Sequence, residues 1–179
     1  MEGNITLLKD KLKEIALQIL EIERERISVK EDLSDLKKEL NCLLPKSQIS
    51  KAIKVWLGKG KLNETDIDDY RQLCTMLNTS YTCGMIVPDN TQSENLEPGV
   101  KEHREKVISV LKRYENIYNE GNEYSVQIRN LYAVAKNSGI SVPLLKKLVD
   151  FVLHPDKLRA YHEDTPLLEV YTEVIPEIE

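Results

Sequence analysis

The sequence predicts an all-α protein made of two tandem helical units, and three observations carry that prediction. The 179 residues are 31% charged and 6% aromatic, with only 7 Gly and 7 Pro, a composition that suits long helices better than a sandwich or barrel. An apolar heptad fills the N-terminal third. The same rhythm returns 95 residues later.

Steps of four and three from Leu8 pass through Leu12, Ile15, Ile19, Ile22, Arg26, Val29, Leu33, Leu36 and Leu40. Nine of these ten positions are apolar, where the 41% apolar content would place about four by chance. Lys, Glu and Asp fill the positions between, so this stretch predicts one helix of roughly 50 Å with a seam that packs on another helix. The second copy reads His103, Val107, Val110, Tyr114, Ile117, Gly121, Tyr124, Ile128, Leu131 and Ala135, and its polar or small break, Gly121, answers Arg26.

The offset continues past the long helix. Ile49 answers Leu144, Ile53 answers Leu148, Trp56 answers Phe151 and Leu57 answers Val152; then, after a three-residue length difference, Tyr70, Leu73 and Leu77 answer Leu168, Tyr171 and Ile175. Three elements in phase predict a tandem duplication, with residues 1–79 as the first unit, 80–100 as a polar linker and 101–179 as the second. Each unit is a long helix, a tight turn, a short helix, a polar connection and a closing helix. Ser47 and Ser141 are the predicted N-caps of the short helices, and Gly139 the C-terminal glycine of the second long helix. In the linker, Tyr81–Val87 has strand character, but a strand without a partner is not stable.

A helix with one thin apolar stripe cannot bury itself, so the seam must be covered by its duplicate, by a second chain, or by both. The residues expected to oligomerise are Leu8, Leu12, Ile15, Ile19, Ile22, Val29, Leu33, Val107, Val110, Tyr114, Ile117, Tyr124 and Ile128, giving a pseudo-dimer within the chain and a homodimer of four units.

No chemistry of a catalyst or a metal shows. Cys42, Cys74 and Cys83 are odd in number and lack CxxC spacing, and His103, His154 and His162 join them at no metal spacing; the expectation is three reduced thiols, no metal and no cofactor. Nucleophile elbow, P-loop and Gly-rich phosphate cradle are absent, so the chain is not expected to be an enzyme. No 18-residue apolar run spans a membrane, and Met1–Lys13 lacks a signal-peptide apolar region, which predicts a cytoplasmic protein.

Charge is uneven. The net value is −5, yet residues 46–61 carry Lys46, Lys51, Lys54, Lys59 and Lys61 with no acid, and residues 162–179 carry six acids with no Lys or Arg. The lysine run reads either as a phosphate-binding ridge or as the solvated face of a short helix. Trp56, at helical spacing from Ile49 and Ile53, reads as core rather than as a base-stacking platform.

The stretch Ile128–Ile175 resembles the GapR family of bacterial nucleoid-associated proteins. Ile128-Arg129, Leu131-Tyr132, Ala135-Lys136 and Gly139-Ile140 match the family's helix end, Leu144–Lys147 its short helix, and Leu167-Leu168-Glu169-Val170-Tyr171 its closing helix. The resemblance covers residues 103–176, and more faintly 8–77. It implies non-catalytic binding: long helices assemble around duplex DNA with basic side chains toward the phosphates, nucleoid-associated and with little base specificity. By position it assigns Arg129, Lys136, Lys146 and Lys147, with Lys51 answering Lys146. The family's cationic run at the end of the short helix is replaced by Asp150-Phe151-Val152-Leu153-His154 and Val55-Trp56-Leu57-Gly58-Lys59. Either phosphate contact has moved to Lys46–Lys61, or it is lost and the coiled coil serves as a scaffold for a protein partner, such as a single-unit homologue. His154-Pro155-Asp156 also matches the three-residue motif of J-domain co-chaperones, but Val149–Leu153 lacks the basic helix face that precedes it there.

Overall fold

The computed structural model describes residues 2–58, 79–82, 85–88 and 98–159, with side chains over 10–58, 98–99 and 101–157. These belong to the all-α class. Helix α1 runs Glu2–Leu43, α2 Lys46–Trp56, α3 Pro98–Asn137, α4 Val142–Leu153 and α5 Pro155–Arg159. At 42 and 40 residues, α1 and α3 are longer than the ten-position heptads require, about 60 Å each. Residues 4–44 contain neither Gly nor Pro, and ion pairs one turn apart reinforce the helices: Arg26 with Glu23 at 3.0 Å, Lys38 with Asp35 at 2.7 Å and Lys106 with Glu102 at 2.7 Å.

The linker segment supplies its own strand partner. β1 (Thr79–Thr82) and β2 (Met85–Pro88) pair antiparallel, Thr82 opposite Met85 and Thr79 opposite Pro88, so the expected lone strand is a hairpin. Helix α3 then begins at Pro98, inside the expected linker.

The chain divides into two compact units that cut across the sequence repeat. A split unit takes Met1–Ser28 and Gly121–Glu179; a contiguous unit takes Val29–Glu120. In the split unit, Leu12, Ile15, Ala16, Ile19 and Leu20 of α1 close on Ile128 and Ala135 of α3 and on Leu145, Leu148, Val149 and Phe151 of α4. In the contiguous unit, Leu36 and Leu40 of α1 close on Val107, Val110, Leu111 and Tyr114 of α3 and on Ile49, Ala52, Ile53 and Val55 of α2. Each short helix thus folds back on the end of its own long helix and covers the start of the other. The physical cause is the single stripe: neither long helix can fill its seam from its own unit.

Most of the expected oligomerisation seam is therefore covered inside one chain. Leu12, Ile15, Ile19, Val29, Val107, Val110, Tyr114 and Ile128 are buried, and Ile22, Leu33, Ile117 and Tyr124 are half-buried; the side chain of Leu8 lies outside the described residues. At the break, Arg26 turns to Glu23, and Ser125 Oγ donates to the Gly121 carbonyl at 2.9 Å.

Burial recurs at two spacings. Along the long helices it holds at 95 residues, with Leu12 and Val107, Ile15 and Val110, Ala16 and Leu111, Ile19 and Tyr114, and Leu40 and Ala135 all buried. From the turn onward the spacing is 96: Leu44 with Ile140, Ile49 with Leu145, Ala52 with Leu148, Ile53 with Val149 and Val55 with Phe151. This corrects the expected short-helix pairs by one position, and pairs Lys51 with Lys147 instead of Lys146. The extra residue is in the second turn. There Gly139, at φ 81°, closes α3: its N–H donates to the Lys136 carbonyl at 3.1 Å and the Ile140 N–H to the Ala135 carbonyl at 2.9 Å. The first turn has no such glycine and is two residues shorter, 44–45 against 138–141, while α3 ends one position earlier than α1 at a spacing of 95. Its N-cap is Pro45, so Ser47 lies within the first turn of α2 and does not cap it; Ser141 does hold the N-cap position of α4, without a side-chain cap hydrogen bond. The closing helices expected around Tyr70–Leu77 and Leu168–Ile175 lie outside the described residues.

Candidate nucleic-acid interface

The predicted basic residues sit on helix–turn–helix corners, one per compact unit. In the contiguous unit, Lys46 and Lys54 are exposed and Lys51 is half-buried on α2, whose Ile49, Ala52, Ile53 and Val55 are buried. In the split unit, Arg129 and Lys136 are exposed on α3, seven residues apart on one helix face, and Lys146 and Lys147 are exposed on α4. Lys59 and Lys61 lie outside the described residues.

The sequence segments that form both corners are free of acid. No Asp or Glu occurs between Glu39 and Glu64, or between Glu123 and Asp150. The first gap contains the lysine run already noted; the second, holding Arg129, Lys136, Lys146 and Lys147, is a signal that counting the lysine run alone misses. Among the described residues Lys46, Lys54, Arg129 and Lys136 make no ion pair, whereas Arg26, Lys38, Lys106, Arg113 and Lys157 are all tied to carboxylates outside the gaps. Neither α2 nor α4 carries an acid in its first turn, so the positive N-terminal end of each helix dipole is not offset there.

The sign of the surface follows. Residues 10–58 and 98–157 hold 20 Lys and Arg against 16 Asp and Glu, net +4; the rest of the chain holds 5 against 14, net −9. The acidic total thus conceals a basic helical body, and exposed cations not held by carboxylates keep a favourable potential for anions.

One cation is positioned by an aromatic ring. Lys146 Nζ lies 5.2 Å from the centre of the Tyr132 ring, joining α4 to α3 at the split-unit corner. Burial pushes the Tyr132 phenol above its ordinary value, and the Glu23 carboxylate adds to this while Arg26 opposes it. The ring therefore stays neutral under Lys146. Trp56 is half-buried against the contiguous-unit core, and its Nε1 donates to Glu115 Oε2 at 2.8 Å, which occupies its polar edge within the fold. At the J-domain-like triplet, His154 is the C-cap of α4, and Lys157 Nζ donates to Asp150 Oδ1 at 2.8 Å, so the segment is tied to its own helix.

Among the described residues no group of His, Cys, Asp and Glu could hold a metal ion, and no helix is long and apolar enough to cross a membrane. Cys42 is exposed, its thiol directed to the Lys38 carbonyl at 3.6 Å; Cys74 and Cys83 lie outside the described residues. No family model, curated protein or solved structure matches the chain.

Proposed function

We propose that this chain is a non-enzymatic protein that grips the phosphates of duplex DNA with two basic corners, one from each of two tandem copies of a helical unit, with little base specificity. The observation that carries the reading is the pair of acid-free sequence segments, 40–63 and 124–149, with four exposed cations, Lys46, Lys54, Arg129 and Lys136, that make no ion pair among the described residues. Duplex DNA presents a dense row of phosphates, and such cations bind it by releasing counterions without reading base edges. The resemblance to GapR points the same way, and the recurrence of burial at 95 and then 96 residues supports the duplication. In this reading the protein is cytoplasmic and nucleoid-associated.

Charge reversal at each corner tests it. Lys46→Glu with Lys54→Glu, and separately Arg129→Glu with Lys136→Glu, should each weaken duplex binding at about 50 mM salt by at least tenfold while helicity is unchanged. Duplexes of unrelated sequence should compete equally. Undetectable binding by the unaltered protein, or indifference to both reversals, removes the reading.

A further inference from the structure

The two long helices leave a groove open in one unit at the position they bridge in the other. In the split unit, Gln18, Glu21, Ile22 and Glu25 of α1 and Gln127, Asn130, Leu131 and Val134 of α3 line an open groove of about 590 Å³. Ile22 and Leu131 form its apolar floor, Val134 is 50% exposed beside it, and Leu17, next to Gln18, is 38% exposed. At a spacing of 95 the contiguous unit keeps the floor, as Ile117 and Leu36, but Gln18 is answered by Arg113 and Val134 by Glu39. Those two close on each other: Arg113 Nη1 donates to Glu39 Oε1 at 3.1 Å and to Oε2 at 3.0 Å. The same backbone position is thus strapped by an ion pair in one unit and left with a bare valine and a glutamine in the other.

Val134 carries the apolar floor of Ile22 and Leu131 out to exposed surface within a polar rim. The rim sets what can cover it. Glu21 and Glu25 are exposed along one edge, with Gln18 Nε2 donating to Glu14 Oε1 at 3.5 Å, and the opposite edge carries the amides of Gln127 and Asn130. No lining residue is a cation. A second copy offering the same face brings no cation to this rim, and the chain outside residues 10–58 and 98–157 is net −9, the wrong sign for it.

We propose that this groove is a docking site for a basic amphipathic helix of another protein, which sets apolar side chains against Ile22, Leu131 and Val134 and Lys or Arg side chains against Glu21 and Glu25. Opposite charge at the rim supplies selectivity, and the apolar floor supplies the contact. The site is distinct from the basic corners and does not rest on DNA binding.

The probe is a pair of synthetic helical peptides, each with a leucine stripe, one bordered by lysines and the other by glutamates, titrated against the full chain by fluorescence anisotropy. The lysine-bordered peptide should bind at least about tenfold more tightly, and Gln18→Arg with Val134→Glu, which installs the strap of the other unit, should lower that affinity by at least about tenfold. Glu21→Lys with Glu25→Lys, at exposed positions the fold does not need, should reverse the preference between the peptides. Lys46→Glu with Lys54→Glu should leave peptide binding unchanged, which separates this site from the corners. No binding up to about 1 mM peptide, no discrimination between the two peptides, or equal binding by the strapped variant would overturn the proposal.

Discussion

Leu111→Ala tests whether the apolar stripes close within one chain. Leu111 has no accessible surface and sits in the contiguous-unit core among residues of α1, α2 and α3. Truncation removes three carbons, about 2.4 kcal/mol at roughly 0.8 kcal/mol per buried methylene. The cavity left behind raises this to about 3 kcal/mol. For a chain of this size that is a fall in melting temperature of about 6–12 °C. Circular dichroism at 222 nm would follow it, with Leu17→Ala, at a 38% exposed site, as the control expected to cost under about 1 kcal/mol. The loss should be the same across an approximately hundredfold range of protein concentration, because the seam is filled from the same chain. Equal losses for Leu111→Ala and Leu17→Ala, or recovery of the Leu111→Ala midpoint as concentration rises, would refute the reasoning.

Three further outcomes follow from single residues. Gly139→Ala meets open space but must hold φ 81°, so it should cost about 1–2 kcal/mol in a urea titration; a neutral result would mean the turn relaxes to another conformation. Glu115→Ala removes the acceptor of Trp56 Nε1 and should cost about 1–2 kcal/mol while shifting the emission of the chain's single Trp, and unchanged emission would count against that hydrogen bond. Tyr132 holds its proton more tightly folded than unfolded, so its effect is absent below the ordinary tyrosine value of about 10, and stability falls as pH rises beyond it. Tyr132→Phe should flatten that alkaline loss, measured as the urea midpoint between pH 9 and pH 11.

What could be read from the sequence was what period alone encodes. The heptads from Leu8 and His103 specify two long helices and which faces are apolar, and the buried Leu12, Ile15, Ile19, Val107 and Val110 follow from them directly. Period carries no direction, so it left open whether a seam meets its duplicate or a second chain. The division at Ser28 and Glu120 was equally hidden, because it follows from which half of α1 meets which half of α3. The one-residue slip in the short helices arises between helices, where 138–141 is two residues longer than 44–45 while α3 ends one position early, and the repeat spacing read from the helices alone does not register it. At the candidate interface, the gap in acids between Glu123 and Asp150 was there to be counted. The Arg113–Glu39 strap was not, since its partners stand 74 residues apart and only folding brings them together.

The most direct test of the DNA-binding account is the salt dependence of duplex affinity. Four phosphate contacts contribute a slope of about −3.6 in log Kobs against log salt concentration, at about −0.9 per contact. The unaltered protein should therefore show a slope at least that steep, and a variant with Lys46, Lys54, Arg129 and Lys136 changed to Gln should lose about 3.6 of it. A shallow slope for the unaltered protein, or the same slope in the variant, would contradict the account.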